Sequence, residues 1–244
     1  MGRGVIHEPD DIRPDNPPGN PALLAYLEKE LIRSHYDLKG FCRLILNSEA
    51  YQLSSIPRLK RPDVQDQLAK FASYPMRRLD AEVLIDAINK VTGTSELYTS
   101  PIPEPFTYIP ENKPAVALPD GSITSSFLAL FGRPARATGM ENERDHKPLP
   151  AQSLYLLNSS NIFRKIDQGP KLKTLFTSGR KTADITDELY LTILSRFPTP
   201  EEAKTAELYT SFKTAARPGA AKRREDWVDI AWSLINSIEF RYRH

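Results

Sequence analysis

WVDIAWSLINSIEFRY, residues 227–242, carries the clearest structural signal in this chain. Its apolar side chains recur at the three- and four-residue spacing of an α-helix. We therefore predict a terminal helix with an unbroken apolar face. The residues of that face are Trp227, Ile230, Ala231, Leu234, Ile235, Ile238 and Tyr242.

The same periodicity predicts helices near 20–33, 38–45, 79–92 and 183–197, whereas strand signals are weak throughout. The predicted fold class is therefore all-α, an irregular helical bundle with a long proline-rich connection and extended loops. Start and stop signals support this prediction. They are the pair Asn20-Pro21 as N-cap and first helical residue, Gly93 as C-cap, and the capping box of Thr199, Pro200 and Glu202.

Residues 98–119, YTSPIPEPFTYIPENKPAVALP, contain six prolines and exclude a regular helix or a central strand. We predict an extended strap that Phe106 and Tyr108 pin to the surface of the bundle. The chain is then a single helical domain over 1–244. The alternative is a division into 1–97 and 120–244, joined by this strap.

Composition excludes several classes of protein. A net charge of +2 disfavours nucleic-acid binding, and no apolar run has the length of about 18 residues that marks a membrane span. The lone Cys42 allows neither a disulfide framework nor a thiolate metal cluster, and its apolar neighbours predict a buried, inert thiol. No metal site is predicted. MGRGVIHEPDD, residues 1–11, lacks the apolar core of a signal peptide.

Three segments share an apolar pair, then Asn-Ser, then an aromatic residue: LILNSEAY (44–51), YLLNSSNIF (155–163) and SLINSIEF (233–240). A repeat of helical hairpins is one interpretation. The favoured interpretation is local, because Asn and Ser side chains bond to backbone near helix turns.

The loop and helix start FGRPARATGMENERDHKPLPAQ, residues 131–152, hold the densest charge in the chain. Glu141, Glu143 and His146 are the candidate catalytic residues, since carboxylates beside a histidine perform acid–base chemistry. The favoured interpretation is a structural network of arginines and glutamates, ahead of a binding site and of catalysis. The network or binding candidates are Arg133, Arg136, Arg144, Gln152 and Asn158, with Asn158 predicted as a buried amide on the face of Leu154 and Ile162.

The chain also resembles a known family. GRGVIHEPDDIRPDNPPGNPALLAYLEKELIRSHYDLKGFCRLILNSEAYQLSS (2–55), RRLDAEVLIDAINKVTG (77–93) and ITDELYLTILSRFPTPEE (185–202) are similar, in this order, to motifs of a planctomycete-specific C-terminal domain of unknown function. So are ALPDGSITSSFLALFGRPARATGMENERDHKPLPAQSLYLLNSSNI (117–162) and the closing DWVDIAWSLINSIEFRYRH (226–244). Where many members read Cys-Glu-Cys-Glu-Arg, this chain has GMENER, residues 139–144.

The resemblance implies the C-terminal part of a longer, exported protein, with Met1 as an internal boundary. It implies upstream domains of the same polypeptide as partners, among them a c-type cytochrome domain that would carry the haem. This chain has no Cys-x-x-Cys-His and so no cofactor of its own is expected.

Two functions are therefore expected. The first is a non-catalytic interaction or scaffold domain of an extracytoplasmic, cytochrome-associated protein, periplasmic by resemblance. The alternative is a hydrolase of extracellular polysaccharide or related substrates that uses the loop of residues 141–146.

Overall fold

Helices dominate the structure, a computed structural model, and confirm the predicted all-α class. Eleven α-helices lie in its described residues: α1 (Pro21–Arg33), α2 (Leu38–Leu46), α3 (Ala81–Thr92), α4 (Ser126–Leu130), α5 (Pro150–Asn158), α6 (Ser160–Gln168), α7 (Pro170–Phe176), α8 (Thr182–Leu194), α9 (Pro200–Ala215), α10 (Arg224–Ile235) and α11 (Ile238–Arg241). A 3₁₀ turn spans Ala115–Ala117, and strands β1 (Arg77–Arg78) and β2 (Tyr242–Arg243) pair antiparallel.

The chain divides into two compact units. The N-terminal unit comprises residues 1–78, 140–143 and 242–244, and the main unit comprises 79–139 and 144–241. The predicted domain organisation stays a prediction. The structure describes residues 4–6, 11–54, 71, 74, 76–100, 102, 109–118, 123–134, 143–215 (backbone alone for 212–215) and 224–243.

The described helices of the N-terminal unit are α1 and α2, which pack as a hairpin. The Asn20 side chain accepts a hydrogen bond from the Leu23 N–H at 3.0 Å, so the predicted N-cap is confirmed. Asp37 caps α2 in the same way, through the N–H groups of Lys39 and Gly40. Both helices are amphipathic, yet none of their residues is buried. Cys42, in α2, is exposed as well. The prediction of a buried Cys42 is therefore wrong.

The core of the main unit forms around α3. Its apolar face includes Leu84, Ile85 and Ile88, each at most 1% exposed, and burial of one such side chain stabilises the fold by about 1.5–3 kcal/mol. This face packs against α4, α6 and α7. The helix ends at Gly93, whose φ of 74° is the left-handed C-cap conformation predicted for it.

The terminal helix is interrupted, contrary to the prediction of one unbroken stripe. α10 ends at Ile235, and the Ser237 hydroxyl accepts a hydrogen bond from the Phe240 N–H at 3.2 Å to start α11. This second start turns Ile238 outward, where it is 60% exposed. Tyr242 lies beyond the helices, in β2.

All three Asn-Ser pairs lie where a helix ends. In each pair the serine hydroxyl accepts a hydrogen bond from the N–H three residues later: Tyr51 to Ser48, Ile162 to Ser159 and Phe240 to Ser237, at 3.2, 3.4 and 3.2 Å. The recurrence therefore has the local cause that the sequence favoured, since a serine side chain stabilises the turn that follows.

The proline-rich strap is described at 98–100, 102 and 109–118, and the predicted anchors Phe106 and Tyr108 lie outside the described residues. In the described part, Asp86 of α3 holds the 3₁₀ turn. Its two carboxylate oxygens accept hydrogen bonds from the N–H groups of Ala115 and Val116, at 2.8 and 3.0 Å. A carboxylate bound to the first N–H groups of a turn is a favourable cap.

Arg196 joins the start of α9 to α11. The predicted capping box is confirmed, since Glu202 and Thr199 exchange hydrogen bonds. Glu202 also binds the Arg196 guanidinium at 2.8 and 2.9 Å, and the other edge of that guanidinium binds Glu239. Arg196 further lies over the Tyr190 ring, 5.5 Å from its centroid. The hydrogen bonds from Arg196 hold the pKa of Glu202 at about 2, well below the ordinary 4.5.

This depressed pKa predicts a specific loss of stability in acid. An ionised Glu202 stabilises the fold above its ordinary pKa, and that contribution disappears as the pH falls from about 4.5 to about 2. We expect Glu202→Gln to flatten the decline of the free energy of unfolding over this window, measured by urea denaturation at stepped pH. The control is Glu188→Gln, which removes the exposed partner of Arg180. Parallel curves for Glu202→Gln and the wild type would contradict the assignment.

Candidate functional site

The charged loop predicted as the candidate site is described in part. Arg136 and Glu141 lie outside the described residues. Arg133, Arg144 and His146 belong to the main unit, whereas Glu143 belongs to the N-terminal unit.

Both described arginines of this loop bind the buried carboxylate of Glu82, in the first turn of α3. Arg144 donates from Nη1 to Oε2 at 2.8 Å and from Nη2 to Oε1 at 2.9 Å, a bidentate pair. The Arg133 Nε lies 3.3 Å from Oε1, and its Nη1 donates to the Ile123 carbonyl at 2.7 Å. Arg133 and Arg144 therefore share one carboxylate, which comes from α3 and not from the loop itself.

The environment keeps Glu82 ionised. Its side chain is 8% exposed, and those of Arg133 and Arg144 are 6% and 19% exposed. Burial raises the pKa of this carboxyl, but the Arg144 hydrogen bonds, a backbone N–H and the charges of both arginines outweigh burial, so that the pKa is lowered overall. A carboxylate held in this way accepts hydrogen bonds and does not supply protons at neutral pH.

Glu82 is the first member of a polar stripe along α3. Glu82, Asp86 and Asn89 follow each other at i, i+4 and i+7 and so share one helical face. Each holds a different segment: Glu82 the two arginines, Asp86 the 3₁₀ turn, and Asn89 the amine of Lys165. The stripe therefore positions loops around α3.

The last of these contacts belongs to a second buried cluster. Lys165 of α6 is 6% exposed, and its Nζ donates to Asn89 Oδ1 and to the Ser95 carbonyl, both at 2.8 Å. The Glu96 carboxylate lies 3.1 Å from the same amine and accepts a hydrogen bond from Asn161. A buried ammonium needs such partners, because an unpaired charge in a protein interior is costly. These contacts fix α6 to the end of α3.

Gln152, and not Asn158, is the buried amide of α5. Gln152 is 5% exposed, accepts a hydrogen bond from the Leu149 N–H and donates to the Leu130 carbonyl, both at 3.0 Å. It therefore joins the segment just before its helix to the end of α4. Asn158 is exposed, as is Leu154, so the prediction of a buried amide there is wrong. The cause is the helix break at Ser159, which changes the face of α6 relative to α5.

The structure describes two of the three candidate catalytic residues, Glu143 and His146. His146 Nδ1 lies 3.8 Å from Asp80 Oδ1, beyond hydrogen-bond distance, and both side chains are partly exposed. Among the described residues, no group of three or more His, Cys, Asp or Glu side chains is placed to hold a metal ion. The catalytic role of Glu143 and His146 stays a prediction.

Sequence reasoning missed Glu82, Asp86 and Lys165. The helix dipole already favours an acidic residue in the first turn of a helix. The position of Glu82 therefore gave no indication of a long-range partner. The available signal was the spacing of Glu82, Asp86 and Asn89 on one face of a helix whose other face is apolar. That spacing predicts a polar stripe but does not name its partners.

Tyr98 is buried close to this stripe. It is 7% exposed, and its hydroxyl has no hydrogen-bond partner within the described structure. Burial, followed by the nearby charges of Asp86 and Glu96, raises the pKa of this phenol above its ordinary value. The hydroxyl is thus a neutral, unsatisfied group, which costs about 1–3 kcal/mol in a protein interior.

We expect Glu82→Gln to lower the free energy of unfolding by about 3–5 kcal/mol, because it leaves two buried arginines without their carboxylate. Urea denaturation measures this loss. In the Glu82→Gln background, Arg133→Met should cost less than it does in the wild type. Glu188→Gln, at an exposed ion pair, should cost at most about 1 kcal/mol. A Glu82→Gln loss no larger than that of the control contradicts the bracing role.

We expect Tyr98→Phe to raise the free energy of unfolding by about 1 kcal/mol, since it removes a buried hydroxyl that has no partner among the described residues. The matched control is Tyr209→Phe, which removes a hydroxyl bonded to Asp229 Oδ2 at 2.6 Å. That control should be destabilised. Thermal and urea unfolding compare the two variants, and the same sign for both would contradict this account of Tyr98.

Comparison with known proteins identifies a family. The family model described as PSD1, protein of unknown function (DUF1553), matches residues 1–210 of the 244. No curated protein and no solved structure matched the chain. The family match covers well over half of the chain, including the N-terminal hairpin, the loop of residues 131–146 and α3 with its polar stripe. The chain is therefore a member of the PSD1 family of proteins of unknown function.

Proposed function

We propose that this chain is a non-catalytic interaction and scaffold domain of an extracytoplasmic, cytochrome-associated protein, and that it binds upstream domains of the same polypeptide. The cytochrome and planctomycete context comes from the sequence resemblance. The single observation that carries the interaction role is an open apolar groove in the N-terminal unit.

The groove has a volume of about 1040 Å³ and lies along the α1–α2 hairpin. Its apolar lining includes Leu23, Leu27, Phe41, Leu44, Ile45 and Phe71. α1 and α2 bury no residue, although both carry apolar faces. Exposed apolar surface of this extent is typical of a surface that another element covers.

The position of the groove favours a covalently linked partner. Gly4 and Val5 are part of the lining, and the Val5 carbonyl accepts a hydrogen bond from the Gly19 N–H at 2.9 Å. A polypeptide that precedes Met1 would therefore be tethered within a few residues of the groove. A short, flexible linker raises the effective concentration of such a partner to about the millimolar range. We infer that the occupant is an amphipathic segment of the upstream polypeptide.

The charged clusters support a non-catalytic role. Glu82 is held ionised between Arg133 and Arg144, and the amine of Lys165 is surrounded by four acceptors, on Asn89, Thr94, Ser95 and Glu96. Groups engaged in this way stabilise the fold and are not available to move protons to a substrate.

The first test follows the reading frame upstream of the Met1 codon and expresses the preceding polypeptide separately. We expect isothermal titration to show binding to this chain. Leu44→Glu and Tyr26→Glu, at residues of the groove that are 36% and 49% exposed, should weaken binding by about tenfold or more, since each places a charge against apolar surface. The matched control is Leu208→Glu, at a leucine of α9 that is 60% exposed. This variant should bind as the wild type does.

An absence of binding, or equal weakening by Leu208→Glu, would overturn the interaction role. A stop codon just before Met1 would overturn the cytochrome association. Release of reducing sugars from polysaccharide by the wild type, abolished in Glu143→Gln and His146→Asn, would replace the proposal with the hydrolase alternative.

A further inference from the structure

A second, smaller pocket in the N-terminal unit combines aromatic rings with an arginine. Its volume is about 370 Å³, within the range of sites for small molecules. It is separate from the apolar groove, and the two share no lining residue. Its walls are formed by Tyr51, Gln52, Leu53, Tyr74, Tyr242 and Arg243.

The aromatic part of this pocket is built by a turn and a backbone contact. The Ser48 hydroxyl accepts a hydrogen bond from the Tyr51 N–H, which fixes the turn after α2. The Tyr74 N–H donates to the Ser54 carbonyl at 3.3 Å and brings the two rings together. The rings of Tyr51 and Tyr74 meet edge to face, with centroids 5.8 Å apart and an interplanar angle of 82°. They therefore present an apolar wall of defined shape.

The cationic part comes from the register of the short sheet. Arg243 of β2 lies opposite Arg77 of β1, and Tyr242 lies opposite Arg78. The sheet therefore places two guanidinium groups at directly opposed positions. Both arginines also make contacts within the chain. A guanidinium has five N–H donors, so Arg243 can keep such a contact and still donate to a ligand.

We propose that this pocket binds a small carboxylate carried on a six-membered ring. The carboxylate would pair with Arg243, the flat face of the ring would lie against the tyrosines, and the Gln52 amide would bond a hydroxyl or a carboxylate oxygen. Two classes of small molecule carry a carboxylate on a six-membered ring: acidic sugars and aromatic acids. The proposal does not depend on the proposed function, because it uses a different surface.

The test is to titrate the intact chain with galacturonate, benzoate and neutral galactose. Saturation-transfer NMR and calorimetry measure the binding of each probe. We expect one or both acids to bind with a dissociation constant on the order of 1 mM, and galactose to bind at least about tenfold more weakly, since the charge-assisted contact is missing. Binding by galacturonate alone supports an acidic sugar, binding by benzoate alone an aromatic acid, and binding by both the shared chemistry.

Three variants separate this site from general charge effects. Arg243→Gln should weaken binding of the acid by about tenfold, because it removes a charged donor, whereas Arg243→Lys should retain part of it. Tyr74→Leu should also weaken binding. Arg180→Gln, at the exposed pair with Glu188, is the matched control and should leave binding unchanged.

Thermal unfolding of each variant shows whether the fold is intact, and Arg243→Lys provides a second variant if Arg243→Gln fails to fold. The proposal is overturned if neither acid binds, if galactose binds as tightly as the acids, or if Arg180→Gln weakens binding as much as Arg243→Gln.

Discussion

The main unit depends on the buried carboxylate of Glu82 and its pairing with two arginines. Arg144 binds it through both terminal guanidinium nitrogens, and Arg133 adds a third contact while also donating to the Ile123 carbonyl. These contacts join the first turn of α3 to segments that lie more than forty residues later in the sequence. A buried pair of this kind loses far more by deletion of one partner than an exposed pair does, because the remaining charge stays in a medium of low polarity.

The same helix uses its remaining polar positions in a similar way. Asp86 holds the 3₁₀ turn of the proline-rich strap, and Asn89 holds Lys165 of α6. The apolar face of α3 meanwhile packs in the core through Leu84 and Ile88. α3 therefore acts as a hub, with one face that supplies the hydrophobic free energy and another that specifies which loops lie where. Arg133 and Arg144, two arginines of the charged loop, belong to this structural network.

The two open surfaces of the N-terminal unit contrast with this interior. The groove along α1 and α2 is apolar and suits a polypeptide partner, whereas the pocket of three tyrosines and Arg243 suits a small anion. A hairpin of two helices cannot enclose a core alone, and the amphipathic α1 and α2 bury no residue.

What the sequence alone determined about this protein is local. The all-α class, the Asn20 cap, the Gly93 stop, the Thr199–Glu202 capping box and the Asn-Ser turns depend on residues within about four positions of each other, a range over which helix geometry fixes which groups meet. The tertiary structure decided the long-range outcomes: the exposure of Cys42 and Asn158, the choice of Glu82 as the partner of Arg133 and Arg144, and the break after Ile235. Glu82 is 51 residues from Arg133 and 62 residues from Arg144 in sequence. The packing of helices brings these residues together, and the periodicity of a single helix does not predict such a contact.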